Sequence, residues 1–120
     1  MSAQASVVLD HHLAECGGAV VGAVRWSGND RRRRVGVVLR YRTEGRGDVD
    51  SDVVAAVEVG DTESGEGRFR LDVPPLGPVT YNGELLRLLW VVAVQIPAHR
   101  SFLGTAAEAD LTVVPRGWLR

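Results

Sequence analysis

Apolar residues recur at every second position in several short runs of this chain, and each run is closed by Gly, Asn, Asp or Pro. Period-two spacing puts successive side chains on opposite faces of an extended backbone, so such a run is a strand with one covered face. In residues 19–27, Val20, Gly22, Val24 and Trp26 share a face, and in residues 33–42, Val35, Val37, Leu39 and Tyr41 face in while Arg34, Arg40 and Arg42 face out. Phe69, Leu71 and Val73 alternate with Arg68, Arg70 and Asp72, and Leu86, Leu88, Trp90, Val92, Val94 and Ile96 share one face of the longest run. With shorter runs at 6–10, 53–59 and 109–114, about seven strands are expected, with no substantial helix. Ser27-Gly28-Asn29-Asp30 reads as a tight hairpin turn, because Gly and Asn tolerate positive φ. Residues 43–52 and 60–67 read as polar loops, and the prolines at 74, 75 and 78 stop pairing. The fold class expected is all-β: a two-sheet antiparallel β-sandwich, immunoglobulin-like, with Trp26, Tyr41, Phe69 and Trp90 as core anchors.

A chain of 120 residues supports one such core, so a single domain over residues 1–120 is expected, with its core at about 5–115. Every basic side chain is Arg, which removes Schiff-base lysine and P-loop chemistry. Arg, Ala, Gly and Val have GC-rich codons, and the bias points to a bacterial source. The amino terminus lacks the charge and apolar length of a secretory signal, no window suits a transmembrane helix, and Cys16 has no partner for an internal disulfide. A cytoplasmic location and no membrane span are expected.

The segment from Phe69 to Pro75, then Pro78-Val79-Thr80-Tyr81-Asn82-Gly83, then Leu85 to Val94 resembles the arrestin-type sandwich. In that family a strand ends at a proline, a Pro-x-Thr/Ser-Tyr-x-Gly turn follows, and a long strand carries an aromatic residue among valines. Gly18-Ala19-Val20-Val21-Gly22-Ala23-Val24 is similar to the family's early strand. The resemblance implies kinship with small bacterial arrestin-like and sporulation-control proteins, which are non-enzymatic binding or regulatory proteins. It carries over no receptor-binding residues, since the lysine pair and the second sandwich of larger arrestins have no counterpart in this sequence.

Several clusters invite a chemical reading. Arg31, Arg32, Arg33 and Arg34 form a run suited to anions or a partner, or else simply a solvated face. No stacking aromatics accompany it, so no nucleic acid is expected. Between Arg25 and Arg42 seven arginines oppose Asp30, a net of +6; between Glu44 and Glu66 eight acids oppose Arg46, a net of −7. These blocks either pair with each other or steer partners from opposite ends. Asp48-Val49-Asp50-Ser51-Asp52 opens like a calcium loop but lacks its Gly and bidentate Glu. Arg46-Gly47-Asp48 reads as a polar turn. His11, His12, Cys16 and His99 lack metal-ligand spacing. No nucleophile with a positioned base is found, so neither metal, cofactor nor catalysis is expected. Leu85, Leu89, Val91 and Ala93 make the outer face of the longest strand apolar. That face needs cover from residues 97–107, through Phe102 and Leu103, or from a partner or second copy. The reading is an interaction or scaffold domain that binds a protein, itself included; the alternative is an anion-binding module at Arg31–Arg34.

Overall fold

The computed structural model describes residues 3–45, 48–97 and 105–118. They contain nine strands: β1 (Gln4–Leu9), β2 (Leu13–Glu15), β3 (Ala19–Ser27), β4 (Val35–Gly45), β5 (Asp48–Gly60), β6 (Gly65–Asp72), β7 (Tyr81–Asn82), β8 (Arg87–Gln95) and β9 (Thr105–Val114). One sheet has the order β1-β3-β6 and the other β2-β9-β8-β4-β5, with β7 pairing β8. All pairings are antiparallel except β2 with β9.

The alternating residues pack between the sheets. Val20, Val24, Trp26, Phe69, Leu71 and Val73 come from one sheet and Val35, Val37, Leu39, Trp90, Val92, Val94, Leu111 and Val113 from the other, and all are buried. Each buried aliphatic side chain contributes about 1.5–3 kcal/mol, so the facing stripes carry most of the fold's stability. Tyr41 is partly buried, its ring 5.0 Å from that of Trp90. Gly22 sits where β3 is pressed between Val8 and Phe69: a Cβ there would lie 2.5 Å from the Val8 carbonyl oxygen and 2.8 Å from the Phe69 ring.

The structure departs from the sequence reading in several places. β3 and β4 lie in different sheets, so Ser27–Asp30 begins a crossover, not a tight hairpin. Positive φ falls at Gly28 and Arg32, not at Asn29. Residues 43–52 are mostly strand, because β4 and β5 stay paired to Gly45↔Asp48; ladder hydrogen bonds need no apolar alternation. β2 and β7 are too short for a periodic signal, which raises the strand count from seven to nine. Leu86 is 49% exposed, because its carbonyl closes a turn with the Gly83 N–H at 2.9 Å before β8 begins.

Gly22→Ala is expected to cost about 1–3 kcal/mol, since neither the Val8 carbonyl nor the packed Phe69 ring yields easily. Urea unfolding measures it, and an unchanged midpoint would contradict this packing.

Candidate interaction surfaces

The connection between β6 and β8 carries the Pro-x-Thr-Tyr-x-Gly sequence, and the Pro78 carbonyl and both polar groups of Thr80 have structural tasks. Trp90 is buried on the inner face of β8 and its indole N–H needs an acceptor; the Pro78 carbonyl supplies it at 2.9 Å. Two residues on, Thr80 joins β9 twice. Its N–H donates to the Val113 carbonyl at 2.9 Å, and its Oγ1 accepts from the Val113 N–H at 2.8 Å. Tyr81 and Asn82 then pair with Leu88 and Arg87. Gly83 lies against the Tyr81 ring, where a Cβ would come within 2.6 Å of the hydroxyl.

This bracing holds apolar side chains outward. Leu76 is 98% exposed, Leu85 71% and Tyr81 55%, with Leu86 also exposed. A Cβ on Gly45, where β4 ends, would meet Leu85 and Leu86, and exposed Trp118 follows the end of β9 at the same pole of the sandwich.

The opposite pole holds the arginine run. Asn29 is 3% exposed and is the one buried polar or charged residue among those described. Its Nδ2 donates to the carbonyls of Arg33 at 2.7 Å and Thr62 at 3.0 Å, and its Oδ1 accepts from the Arg33 N–H at 3.1 Å. Its own N–H donates to Glu63 and its carbonyl accepts from Arg32. The Thr62 carbonyl also accepts the Trp26 indole N–H at 2.9 Å. The arginine loop is thereby tied to the β5–β6 loop, which brings Asp61 and Glu63 beside Arg31–Arg34. Arg31, Arg32 and Arg34 are exposed and Arg33 is half-buried.

The two charge blocks interleave. Arg25 pairs Glu66 at 3.2 Å because β3 adjoins β6, Arg34 reaches Glu58 at 4.0 Å because β4 adjoins β5, and Arg42 pairs Glu44 at 3.1 Å two residues along β4 itself. The alternative of two opposite charged ends is therefore corrected. Exposed pairs of this kind contribute at most about 1 kcal/mol each, so they neutralise more than they stabilise.

Each outer sheet face carries a longer-range ion pair. Arg40 on β4 reaches Glu108 on β9 at 2.6 Å, and Arg68 on β6 reaches Asp10 beyond β1 at 2.5 Å. Each pair spans a whole intervening strand, β8 in one sheet and β3 in the other. The Arg40 stem therefore crosses the face that holds Val38, Val91 and Ala93, a small buried cluster separate from the main core. The four residues expected to form one apolar interface are divided: Val91 and Ala93 are buried, Leu89 is half-buried and Leu85 is exposed in the turn. Arg40 crosses the part of this face at Val91 and Ala93, and Leu85 precedes the strand. Phe102, Leu103, His99, Arg46 and Gly47 lie outside the described residues.

Among the described residues, no three His, Cys, Asp or Glu side chains are grouped to hold a metal. Cys16 is a buried free thiol, and the His12 Nδ1 contacts the Asp110 carbonyl at 3.1 Å. No helix is long and apolar enough to cross a membrane among these residues. Sequence reasoning treated Asn29 as a turn former; the signal for its role, a polar residue between two strands of different sheets, is visible only once those strands are assigned.

Asn29→Ala strands the Arg33 N–H and carbonyl and is expected to cost about 2 kcal/mol. Arg32 adopts a φ of 51°, so Arg32→Gly is expected to stabilise by about 0.5 kcal/mol, relief of strain outweighing added chain entropy. Chemical denaturation of both variants checks the opposite signs.

No protein-family model and no curated protein matches the sequence. Among solved structures the chain is similar to Spo0M, the sporulation control protein of Bacillus subtilis, with a TM-score of 0.62 at 15% identity. The match covers 94% of this chain and 49% of that one, so the chain spans about half the length of Spo0M. The likeness is one of fold: a two-sheet β-sandwich, as the strand pattern predicts and in keeping with the arrestin-type sandwich that the sequence resembles.

Proposed function

We propose that this domain is a non-catalytic protein-binding or scaffold module whose partner docks at the pole formed by residues 76–86. The observation that carries the reading is the outward display of Leu76, Tyr81 and Leu85 on a connection fixed by the Trp90–Pro78 and Thr80–Val113 hydrogen bonds. Exposed apolar groups held in a fixed geometry lose little entropy on binding, which favours a specific contact. Spo0M is a sporulation control protein, and a regulatory role in a bacterial cytoplasm agrees with that likeness. Self-association through the same pole is part of the proposal. The anion-module alternative has less support, because Asp61 and Glu63 flank the arginine loop and lower its local field.

A photo-reactive residue placed at position 85 is expected to give one discrete protein adduct in the source cell, lost on Leu76→Ser with Tyr81→Ser, while the same residue at position 68 gives none. Equal adducts from both positions would overturn the site. Light-scattering mass distinguishes a second copy from a different partner. A dimer that Leu85→Ser returns to monomer makes the adduct a self-contact.

A further inference from the structure

β6 is an edge strand of the smaller sheet: β3 pairs it along one side, and among the described residues no strand pairs it along the other. The bonds beside it fix which backbone groups are free. The Asp10 N–H donates to the Val21 carbonyl and the Val73 N–H to the Gly18 carbonyl, both at 2.9 Å. Alternation then turns the backbone groups of Val21 and Ala23 toward β1 and those of Val20 and Gly22 toward β6, where Leu71 and Phe69 meet them. The N–H and C=O groups of Arg68, Arg70 and Asp72 point away from the sheet, and among the described residues no backbone group bonds them. β5 of the other sheet draws near at Gly67, where a Cβ would lie 3.4 Å from the Val59 carbonyl oxygen, so the open stretch is Arg68–Asp72.

The side chains of these three residues are exposed on the outer face, while Phe69 and Leu71 between them are buried. Arg68 is engaged with Asp10 across β3. Opposite Arg70 and Asp72 stand Val21 and Ala19, which carry no charge, and the ion pair these two make is with each other along the strand, at 3.5 Å. Charges on an edge discourage unselective pairing, yet unlike charges directly opposite each other stabilise a cross-strand pair and like charges destabilise it. The order Glu66, Arg68, Arg70, Asp72 therefore selects a register for two copies of β6 laid antiparallel. Centred on Phe69, the copies oppose Arg68 to Arg70 and Glu66 to Asp72; centred on Arg70, they oppose that residue to itself. Centred on Leu71, each Arg70 meets the Asp72 of the other copy, and their free N–H and C=O groups exchange four hydrogen bonds.

We infer that the open edge of β6 docks against β6 of a second copy of this chain, in the two-fold register centred on Leu71, joining the two smaller sheets into one. Backbone hydrogen bonds supply the affinity, and the two reciprocal Arg70–Asp72 pairs set register and choice of partner. The surface is separate from the 76–86 pole and leaves that pole free for its own partner.

Sedimentation of the full chain, with amide hydrogen exchange beside it, tests the contact. An edge this short makes a small interface, so the mass is expected to rise toward twice the monomer's between about 10 μM and about 1 mM. Over the same range exchange at the Arg70 and Asp72 amides is expected to slow by about threefold or more. Arg70→Asp alone and Asp72→Arg alone each set like charges opposite each other, and each is expected to stay monomeric. Mixing these two variants restores both unlike pairs and is expected to restore a dimer of one copy of each, an outcome that damage to folding would not give. If either variant fails to fold, exchange in the unaltered chain decides. A monomer at all concentrations, a dimer that both single variants retain, or a mixture that stays monomeric would overturn the inference. A dimer that Leu85→Ser abolishes while Arg70 and Asp72 gain no protection would also overturn it, assigning self-association to the 76–86 pole. Failure at β6 with the position-85 adduct intact removes this interface alone.

Discussion

The hydrogen bond from the Trp90 indole to the Pro78 carbonyl is the constraint on which one whole pole of this molecule depends. Burying the Trp90 ring against Tyr41 gains about 2–3 kcal/mol, and leaving its N–H unpaired would forfeit about 1–3 kcal/mol, so the bond decides whether the burial is worthwhile. Only a backbone that returns across the end of β8 places a carbonyl there. The chain between β6 and β8 does so, and Thr80 then fastens it to β9. The exposed leucines at positions 76, 85 and 86 are carried by that fixed path and not by a free loop.

Trp26 obeys the same logic at the other pole, where its indole donates to Thr62 and Asn29 adds a second donor to that carbonyl. The two poles share a means of attachment and differ in what they display: arginines among acids at one, leucines and aromatics at the other. Between them the outer faces are crossed by Arg40–Glu108 and Arg68–Asp10. Sheet faces that read as apolar are partly sealed by charge, which moves the exposed apolar surface to the 76–86 pole and leaves open hydrogen-bonding capacity at the edge of β6.

The inner faces were legible because alternation is a property of neighbours in sequence. Val20, Val24 and Trp26, Val35, Val37 and Leu39, and Phe69, Leu71 and Val73 are all buried as their spacing implies. Which sheet each strand joins was not legible, since β3 and β4 are adjacent in sequence yet lie in opposite sheets, and the choice is made by long-range pairing. The outer cluster of Val38, Val91 and Ala93 could be read as apolar, but its relation to Arg40 depends on β8 lying between β4 and β9. The Pro-x-Thr-Tyr-x-Gly segment was visible as a resemblance; the tasks of Pro78 and Thr80 emerge only with their partners on β8 and β9.

Hydrogen exchange of the Trp90 indole N–H and the Val113 amide, followed beside the core amides of β8, tests the central claim most directly. If the 78–80 segment is fixed by these bonds, both protons exchange only through global unfolding, with protection equal to that of Val92 and Val94. Exchange of the indole and Val113 protons at a loop-like rate, while the β8 core stays protected, would contradict the account.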